Sequence, residues 1–445
     1  MIITKSRAEV KPSRRFMASA DSAAIENPHP RRGEERRNNH TGALFSTRKI
    51  LEWSFGFGFN RLPRRLDMAE KSMDFRPEKV QQRFPGSLAP LINGKALLTA
   101  ARAGNGMIMA TNIRCRLPVE GIIRASMTTG APVMYEIAKS ELSYTQFTPA
   151  SFVAFIVREN ERLGNARVPF AVHADHISVK KPEDVPSVAA LIADQLAAGF
   201  TSFAIDASHM PNEQNLAAVL ELARPIVAAG LSLEVELGEI GAKSGSAEGF
   251  TNPEEAEWFI RELVNGGIHP DLLAINNGSV HGTYFGASHE GIQLDLTRSI
   301  WEAIQPWSVD IAQHGITGTS LDKITSFIDY GIRKGNVGTF WQNITFGTAM
   351  NQNGNALTTA ERDYIKRPYR GISDELWQQM REWAAATGNT GGNIKKANLA
   401  FAAELDALGA EYKERISRQA CEEAIRLFEA THSIGLADKV WSLIA

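Results

Sequence analysis

A polar motif follows an apolar run near the middle of the chain, and its residue types could do metal or proton-transfer chemistry. Residues 168–180 read VPFAVHADHISVK, where 168–172 form the apolar run and His173, Asp175 and His176 follow it. This change is typical of a buried strand whose C-terminal end opens into a pocket. An imidazole beside a carboxylate supplies a metal ligand next to a group that can move a proton. Alone, the motif is more typical of a hydrogen-bonded pair in a protein core.

Similar polar residues follow the other apolar runs of the chain, and they favour the chemical interpretation. They are Asn112; Glu136; Asp206, Ser208 and His209; Glu234, Glu236 and Glu239; Asn276, Asn277 and His281; Gln313 and His314; and Asn336. With His173 and His176, these positions hold five of the ten histidines in the chain. Several imidazoles with nearby carboxylates and no thiolate suit catalytic Zn²⁺, or Mn²⁺, Fe²⁺ or Co²⁺, with one position open for substrate.

Strands and helices alternate in the predicted secondary structure that must position these residues. The predicted strands are 107–110, 132–135, 169–172, 202–205, 232–237, 272–275, 309–312 and 331–337. The predicted helices that follow them are 118–127, 149–163, 185–198, 213–229, 253–264, 293–304, 320–330 and 339–350. Eight such units in about 250 residues predict an α/β fold, a (β/α)₈ TIM barrel with its active site at the C-terminal ends of the strands. A doubly wound open sheet is the alternative, but no glycine-rich fingerprint follows the first strand.

The chain outside the barrel divides into two further regions. Residues 1–75 are rich in arginine and without periodicity, which suits a targeting segment, a basic arm or a disordered leader. Glu34, Glu35 and Asp67 weaken the targeting interpretation, so we favour a basic, disordered leader before a barrel at 92–350. Residues 351–445 form a C-terminal helical extension with helices at 372–388 and 395–431, which could pack on the barrel or on another subunit.

Composition and charge limit the class of partner. The chain is 43% hydrophobic and 22% charged, with a formal net charge of −2, which argues against nucleic acid or an anionic membrane as partner. No apolar run is long enough to cross a membrane. Cys115 and Cys421 are far apart and form no disulfide framework, so we expect a cytoplasmic protein.

Glycines surround two of the candidate histidines. Gly278 and Gly282 flank His281, while Gly315 and Gly318 follow His314 together with Thr317 and Thr319. Backbone N–H groups freed by glycine can face an anion, although tight turns also need glycine for their shape. Histidine and glycine together after two successive strands favour a combined metal and phosphate site.

Five motifs in this order and spacing are similar to those of a known enzyme family. They are His-Ala-Asp-His, Ile-Asp-Ala-Ser-His-Met-Pro, Leu-Glu-Val-Glu-Leu-Gly, Gly-Ser-Val-His-Gly-Thr-Tyr and His-Gly-Ile-Thr-Gly-Thr, preceded by Ala-Thr-Asn-Ile after the first strand. Over residues 92–350 the chain resembles the class II, metal-dependent fructose-bisphosphate and tagatose-bisphosphate aldolases. The resemblance implies a lyase that cleaves a ketose (bis)phosphate, such as fructose 1,6-bisphosphate, into dihydroxyacetone phosphate and an aldehyde through a metal-stabilised enediolate.

The resemblance also implies roles for individual residues. His176, His281 and His314 are the implied zinc ligands, Glu236 a carboxylate that holds the metal in an alternative position, and Asp175 the acid/base on the aldehyde oxygen. The implied substrate and phosphate contacts are Asn112, Gly282, Gly315, Thr317, Asn336 and Thr339. Zn²⁺ or another divalent metal is the implied cofactor, and a monovalent cation is left open. From the added C-terminal helices we expect a homodimer or homotetramer.

The chain departs from the family pattern around the substrate. The loop 241–245 lacks the family's glutamate, for which Glu239 and Glu248 are out of register. Ala138 and Glu136 replace a serine and a glutamine, and Ile316 replaces a glycine. The segment 336–340 loses two acids, and Arg367 and Arg370 are candidates for the far phosphate.

These departures leave three functions open. A different phosphorylated ketose remains a candidate substrate. A metal-dependent aldolase needs no lysine Schiff base, so we expect Lys139 to be structural or a substrate contact. The alternatives are a metal-dependent isomerase or epimerase, which leaves the carbon chain intact, and a non-catalytic metal-binding relative.

Overall fold

The computed structural model describes residues 75–238, 249–279, 291–360 and 363–444. The chain divides into two units, Met1–Ser46 and Thr47–Ala445, and every described residue belongs to the second. The predicted leader, residues 1–75, lies outside the described residues except for Phe75.

Eight parallel strands close into a barrel in chain order, which confirms the predicted (β/α)₈ fold. They are β1 Ile108–Asn112, β2 Val133–Ala138, β3 Phe170–Ser178, β4 Ser202–Asp206, β5 Ser232–Leu237, β6 Leu272–Ile275, β7 Asp310–Gln313 and β8 Ile332–Val337. The barrel closes where β8 pairs with β1, from Ile108↔Lys334 to Thr111↔Val337. Helices cover the outside and side chains fill the inside, so strands buried on both faces read as apolar runs.

Helices surround the strands in the order that the sequence predicts. Before β1 lie α1 Glu78–Arg83 and α2 Gly94–Ala103. Between the strands lie α3 Val119–Thr129, α4 Pro149–Arg162, α5 Val185–Ala198, α6 Asn212–Leu222, α7 Arg224–Ala228, α8 Pro253–Asn265, α9 Leu294–Ile304 and α10 Leu321–Ser326. After β8 follow α11 Thr339–Phe346, α12 Asp374–Ala386, α13 Ala397–Ala400, α14 Ala402–Asp406, α15 Ala410–Ala430 and α16 Leu436–Ile444. In the described part of the chain, none of these helices has the length and apolar character needed to span a bilayer.

The structure differs from two details of the predicted secondary structure. Strand β3 continues to Ser178, so the His-Ala-Asp-His motif lies within the strand and not after it. The single helix predicted over 395–431 is divided into α13, α14 and α15. Phe401 departs from helical geometry at the first break, and Gly409 is extended at the start of α15 (φ −60°, ψ 156°).

The C-terminal helices pack on the barrel, which decides one of the alternatives left by the sequence. Helix α15 packs along α3, and α16 packs on α2. Gly121 of α3 lies directly against the backbone of α15, because a Cβ atom there would collide with the carbonyl oxygen of Ser417. The helices approach this closely only because residue 121 has no side chain.

We expect Gly121→Val to lower the free energy of unfolding by about 1–3 kcal/mol, since α15 must move away from α3. Urea denaturation followed by circular dichroism measures this change. Gly86→Val is the matched control, because a Cβ at Gly86 has no atom within 4 Å. Equal unfolding free energies for the two variants would contradict the close packing of these helices.

Candidate active site

A cleft of about 890 Å³ opens at the C-terminal ends of the barrel strands. Most of the residues predicted for the site line it. They are Asn112, Asp175, His176, Glu236, His314, Gly315, Thr317, Asn336 and Thr339. His281 and Gly282 lie outside the described residues, as do Glu239 and Glu248. The tertiary structure therefore brings together residues from five strands or the loops that follow them.

An irregularity in β3 places two adjacent residues in the cleft. The register of β3 against β4 shifts between Ala174, opposite Phe203, and Ile177, opposite Ile205, so β3 contains one extra residue. His176 adopts a positive φ of 39° at this bulge. Successive residues of a regular strand point to opposite faces, but Asp175 and His176 both line the cleft. The bulge thus redirects a side chain toward the site.

The imidazoles of His176 and His314 face each other. His176 Nε2 lies 2.7 Å from His314 Nδ1. The opposite nitrogens of the two rings meet carboxylates: His176 Nδ1 lies 3.1 Å from Glu236 Oε2, and His314 Nε2 lies 2.8 Å from Glu234 Oε1. A carboxylate behind a histidine fixes the tautomer that presents the other nitrogen to a metal.

The donor set fits a divalent metal. Asp175, His176 and His314 each place one donor atom within 4.8 Å of the others, and so do His176, Asp206 and Glu236. Nitrogen and carboxylate donors without a thiolate are suitable ligands for Zn²⁺ and related ions. Both groups share His176, so the structure accommodates Glu236 either as a ligand or as the outer partner of His176.

The pKa values of these groups describe a site with excess negative charge. Burial and the neighbouring Asp206 raise the pKa of Glu236 to about 8. Burial alone would lower the pKa of His176, but Glu236 and Asp175 raise it well above the ordinary value. Burial and the charge on His176 lower the pKa of His314. A cation at His176 is therefore stabilised by its surroundings, as a metal ion in that position would be.

Asp175 is held ionised and in one orientation. Its oxygens accept hydrogen bonds from Asn112 Nδ2 at 2.8 Å and from Asn336 Nδ2 at 3.0 Å. Burial alone would raise the pKa of Asp175, but positive charge on His176 and Lys334 lowers it below the ordinary value. An ionised carboxylate fixed by two amides can accept a proton from a bound hydroxyl.

Lys334 connects the two halves of the site, and the sequence analysis missed it. Its ammonium group lies 2.9 Å from Glu234 and 3.3 Å from Glu136, and it donates to Asn336 Oδ1 at 2.9 Å. The side chains of Lys334, Glu136 and Glu234 are all buried. Lys334 therefore acts on His314 through Glu234 and on Asp175 through Asn336. A lysine within a predicted buried strand was the available signal, because a buried charge needs a partner.

Several predicted or considered residues lie elsewhere. His173 is buried in the barrel, where its Nδ1 lies 2.7 Å from the hydroxyl of Ser202, so it has a core position. Arg367 and Arg370, the candidates for a far phosphate, are absent from the described wall of the cleft. Arg114, Glu141, Tyr144 and Lys395 line that wall instead. Lys395 comes from the C-terminal helical region, whose contribution to the cleft the sequence did not predict.

Comparison with known proteins relates the sequence of this chain to aldolases. The model of the family "Fructose-bisphosphate aldolase class-II" matches residues 92–402. A fructose-bisphosphate aldolase from Streptococcus pneumoniae is 28% identical over 281 residues, which are 62% of this chain and 88% of that protein.

Solved structures share the fold at lower identity. A proposed fructose-1,6-biphosphate aldolase from Coccidioides immitis has a TM-score of 0.53 at 23% identity, covering 78% of this chain and 98% of that one. The YdjI aldolase from Escherichia coli K12 has a TM-score of 0.50 at 20% identity, covering 77% and 97%. At these identities the structural likeness supports the barrel fold alone.

Proposed function

We propose that this protein, which belongs to the class II fructose-bisphosphate aldolase family, is a metal-dependent aldolase that reversibly cleaves a phosphorylated ketose. The observation that carries the proposal is the facing pair His176 and His314 beside the ionised Asp175. This arrangement supplies metal ligands and a proton acceptor within one cleft.

The residues that would hold the metal are His176 and His314, with Glu236 as an alternative ligand and His281 as a third histidine. We propose Zn²⁺ as the metal and leave open whether a monovalent cation binds as well. A divalent metal bound there supplies Lewis-acid stabilisation of negative charge on the ketone half, worth several kcal/mol. Glu234 and Glu236 orient the two histidine rings toward it.

Asp175 is the proposed general base in the direction of cleavage. It takes the proton of the C4 hydroxyl, the bond between C3 and C4 breaks, and C4 leaves as an aldehyde. The bonding electron pair stays on the ketone half, which then takes up a proton at C3 from a separate acid. Asn112 and Asn336 hold the carboxylate in place during this transfer.

The loops after β7 and β8 are the proposed site for the phosphate of the ketone half. Gly315 has a positive φ of 68°, and Thr317 and Thr339 place hydroxyls in the same wall. With Gly282, these residues supply backbone N–H groups and hydroxyls, which are suitable donors to a phosphate. The proposed substrate is a ketose (bis)phosphate such as fructose 1,6-bisphosphate, and the proposed protein is a cytoplasmic homodimer or homotetramer.

A coupled assay of triose phosphate release tests the function. Zinc-loaded protein is given a panel of ketose 1-phosphates and ketose 1,6-bisphosphates, with and without EDTA. We expect release of triose phosphate from at least one sugar, and we expect EDTA or His176→Ala to abolish it. His269→Ala is the matched control and should keep the activity, because His269 is exposed and is not among the residues that line the cleft.

Absence of release from every sugar, with one equivalent of metal bound per chain, would overturn the aldolase proposal. Interconversion of two sugar phosphates without carbon–carbon cleavage would identify an isomerase or epimerase. Metal binding with neither reaction would identify a non-catalytic relative.

A further inference from the structure

We propose that Arg114 recognises an oxyanion, a carboxylate or a phosphate, on the aldehyde half of the substrate. The inference rests on the proposed aldolase function and names a substrate class for it. Arg114 lies two residues after the end of β1 and lines the cleft, with 15% of its side chain exposed. Arg114 is therefore placed to select the aldehyde, because it lies in the wall of the cleft next to Asp175.

The guanidinium of Arg114 is fixed on both sides. Its Nε donates to Glu141 Oε1 at 2.6 Å, and its Nη1 donates to the Thr339 hydroxyl at 3.3 Å. Glu141 is buried, accepts from the backbone N–H of Ala138 at 3.0 Å and lies 3.5 Å from the Tyr144 hydroxyl. An arginine held by such contacts loses little conformational entropy when it binds a ligand.

Gly338 provides the space that the guanidinium occupies. A Cβ atom at residue 338 would lie 2.9 Å from Arg114 Nη2 and 3.1 Å from Asn112 Oδ1. A side chain at this position would therefore displace Arg114 Nη2 or Asn112. The guanidinium of Arg114 can occupy this space because residue 338 is glycine.

The guanidinium keeps donors for a ligand. Arginine has five N–H donors, and two of them bond Glu141 and Thr339. These two bonds use Nε and Nη1, while Nη2 lies beside Gly338 and Arg114 lines the cleft. Adjacent N–H groups of a guanidinium match the oxygens of a carboxylate or a phosphate.

A second cation lies in the same wall. The Lys395 ammonium group is 5.6 Å from the centre of the Tyr144 ring. Burial, and then the charge on Arg114, lower the pKa of Lys395 to about 8. Two neighbouring cations repel each other, and an anion bound between them relieves this repulsion.

The contacts of Asn112 place this wall beside the aldehyde half. Asn112 Nδ2 donates to Asp175 at 2.8 Å and lies 3.4 Å from Glu141, the carboxylate that holds Arg114. Since Asp175 is the proposed base on the hydroxyl that becomes the aldehyde oxygen, a group bound by Arg114 belongs to the same half of the substrate.

Condensation of dihydroxyacetone phosphate with matched aldehydes tests the inference. The pairs are glycolaldehyde with glyoxylate, and D-glyceraldehyde with D-glyceraldehyde 3-phosphate. We expect the wild type to have a lower KM for the anionic member of at least one pair, which identifies carboxylate or phosphate. In Arg114→Met the preference in KM should fall by about 100-fold.

Two further variants make the test specific. Gly338→Ala should reduce the same preference by a smaller factor, because its Cβ displaces Arg114 Nη2. Arg116→Met is the matched control, since Arg116 pairs with Asp406 and is not among the residues that line the cleft. It should keep the preference of the wild type.

The outcomes separate this inference from the proposed function. Condensation with neutral and anionic aldehydes alike, without an effect of Arg114→Met on their ratio, would overturn the inference and leave the aldolase intact. A higher KM for dihydroxyacetone phosphate with every aldehyde would assign Arg114 to the ketone half and also overturn it. If no condensation occurs, calorimetric titration with succinate and inorganic phosphate decides. Equal affinities in wild type and Arg114→Met would then exclude Arg114 as an anion site, and a tenfold loss would support it.

Discussion

Asp175→Asn should lower kcat for cleavage of the ketose phosphate by about 10²–10⁴-fold. The amide cannot take the proton of the C4 hydroxyl. It can also accept from only one of the two amides, Asn112 and Asn336, that now donate to the carboxylate. Steady-state kinetics with zinc-loaded protein measures the loss, and the metal content shows whether the histidines still bind zinc.

Asp271→Asn is the control for Asp175→Asn. Asp271 precedes β6 at the opposite end of the barrel, where it lies 3.5 Å from the exposed Lys95. We expect the kcat of Asp271→Asn to stay within about threefold of the wild-type value, since Asp271 contacts no group of the proposed mechanism. If Asp175→Asn kept kcat within tenfold at full metal content, Asp175 would not be the general base.

Lys334→Met should lower the free energy of unfolding by about 3–5 kcal/mol. The substitution leaves Glu136 and Glu234 buried without the cation that lies 3.3 Å and 2.9 Å from them. It should also weaken zinc binding by about 10–100-fold, because Glu234 no longer holds His314 in one orientation. Urea denaturation measures the first effect, and competition with a chromophoric chelator measures the second.

Two variants separate this effect from a general loss of packing. Adding Glu136→Gln to Lys334→Met should restore part of the stability, because it removes one uncompensated buried carboxylate. Lys95→Met removes a lysine that is 49% exposed beside Asp271 and should cost less than about 1 kcal/mol. Unchanged zinc affinity in Lys334→Met would show that Lys334 does not position His314.

Buried ion networks explain why the sequence predicted the candidate ligands but not the contacts that support them. Histidines after apolar runs stand out, since imidazole and carboxylate at strand ends are unusual in a core. Lys334 and Glu136 are single charges within strands, and the contacts of Lys334 with Glu136 and Glu234 exist only because β2, β5 and β8 meet across the barrel. Contacts across a closed sheet have no signature in local spacing.

Local spacing also misplaced the motif 173–176 relative to its strand. The apolar run ends at Val172, so the predicted strand ended there, whereas β3 continues through the motif to Ser178. Pairing with β2 and β4 keeps residues 173–178 in the strand despite their polar composition. The bulge between Ala174 and Ile177 depends on pairing with β4, which no pattern within β3 encodes.

The sequence by itself determined the order of strands and helices, the barrel, and the candidate residues at its C-terminal end. These follow from apolar periodicity and from chemistry written in contiguous motifs, which local residue types are sufficient to specify. Only the tertiary structure decided that His176 faces His314, that Lys334 lies between Glu136 and Glu234, and that Arg114 occupies the space beside Gly338. Each of these contacts joins residues far apart in the chain, so their distances depend on how the barrel closes.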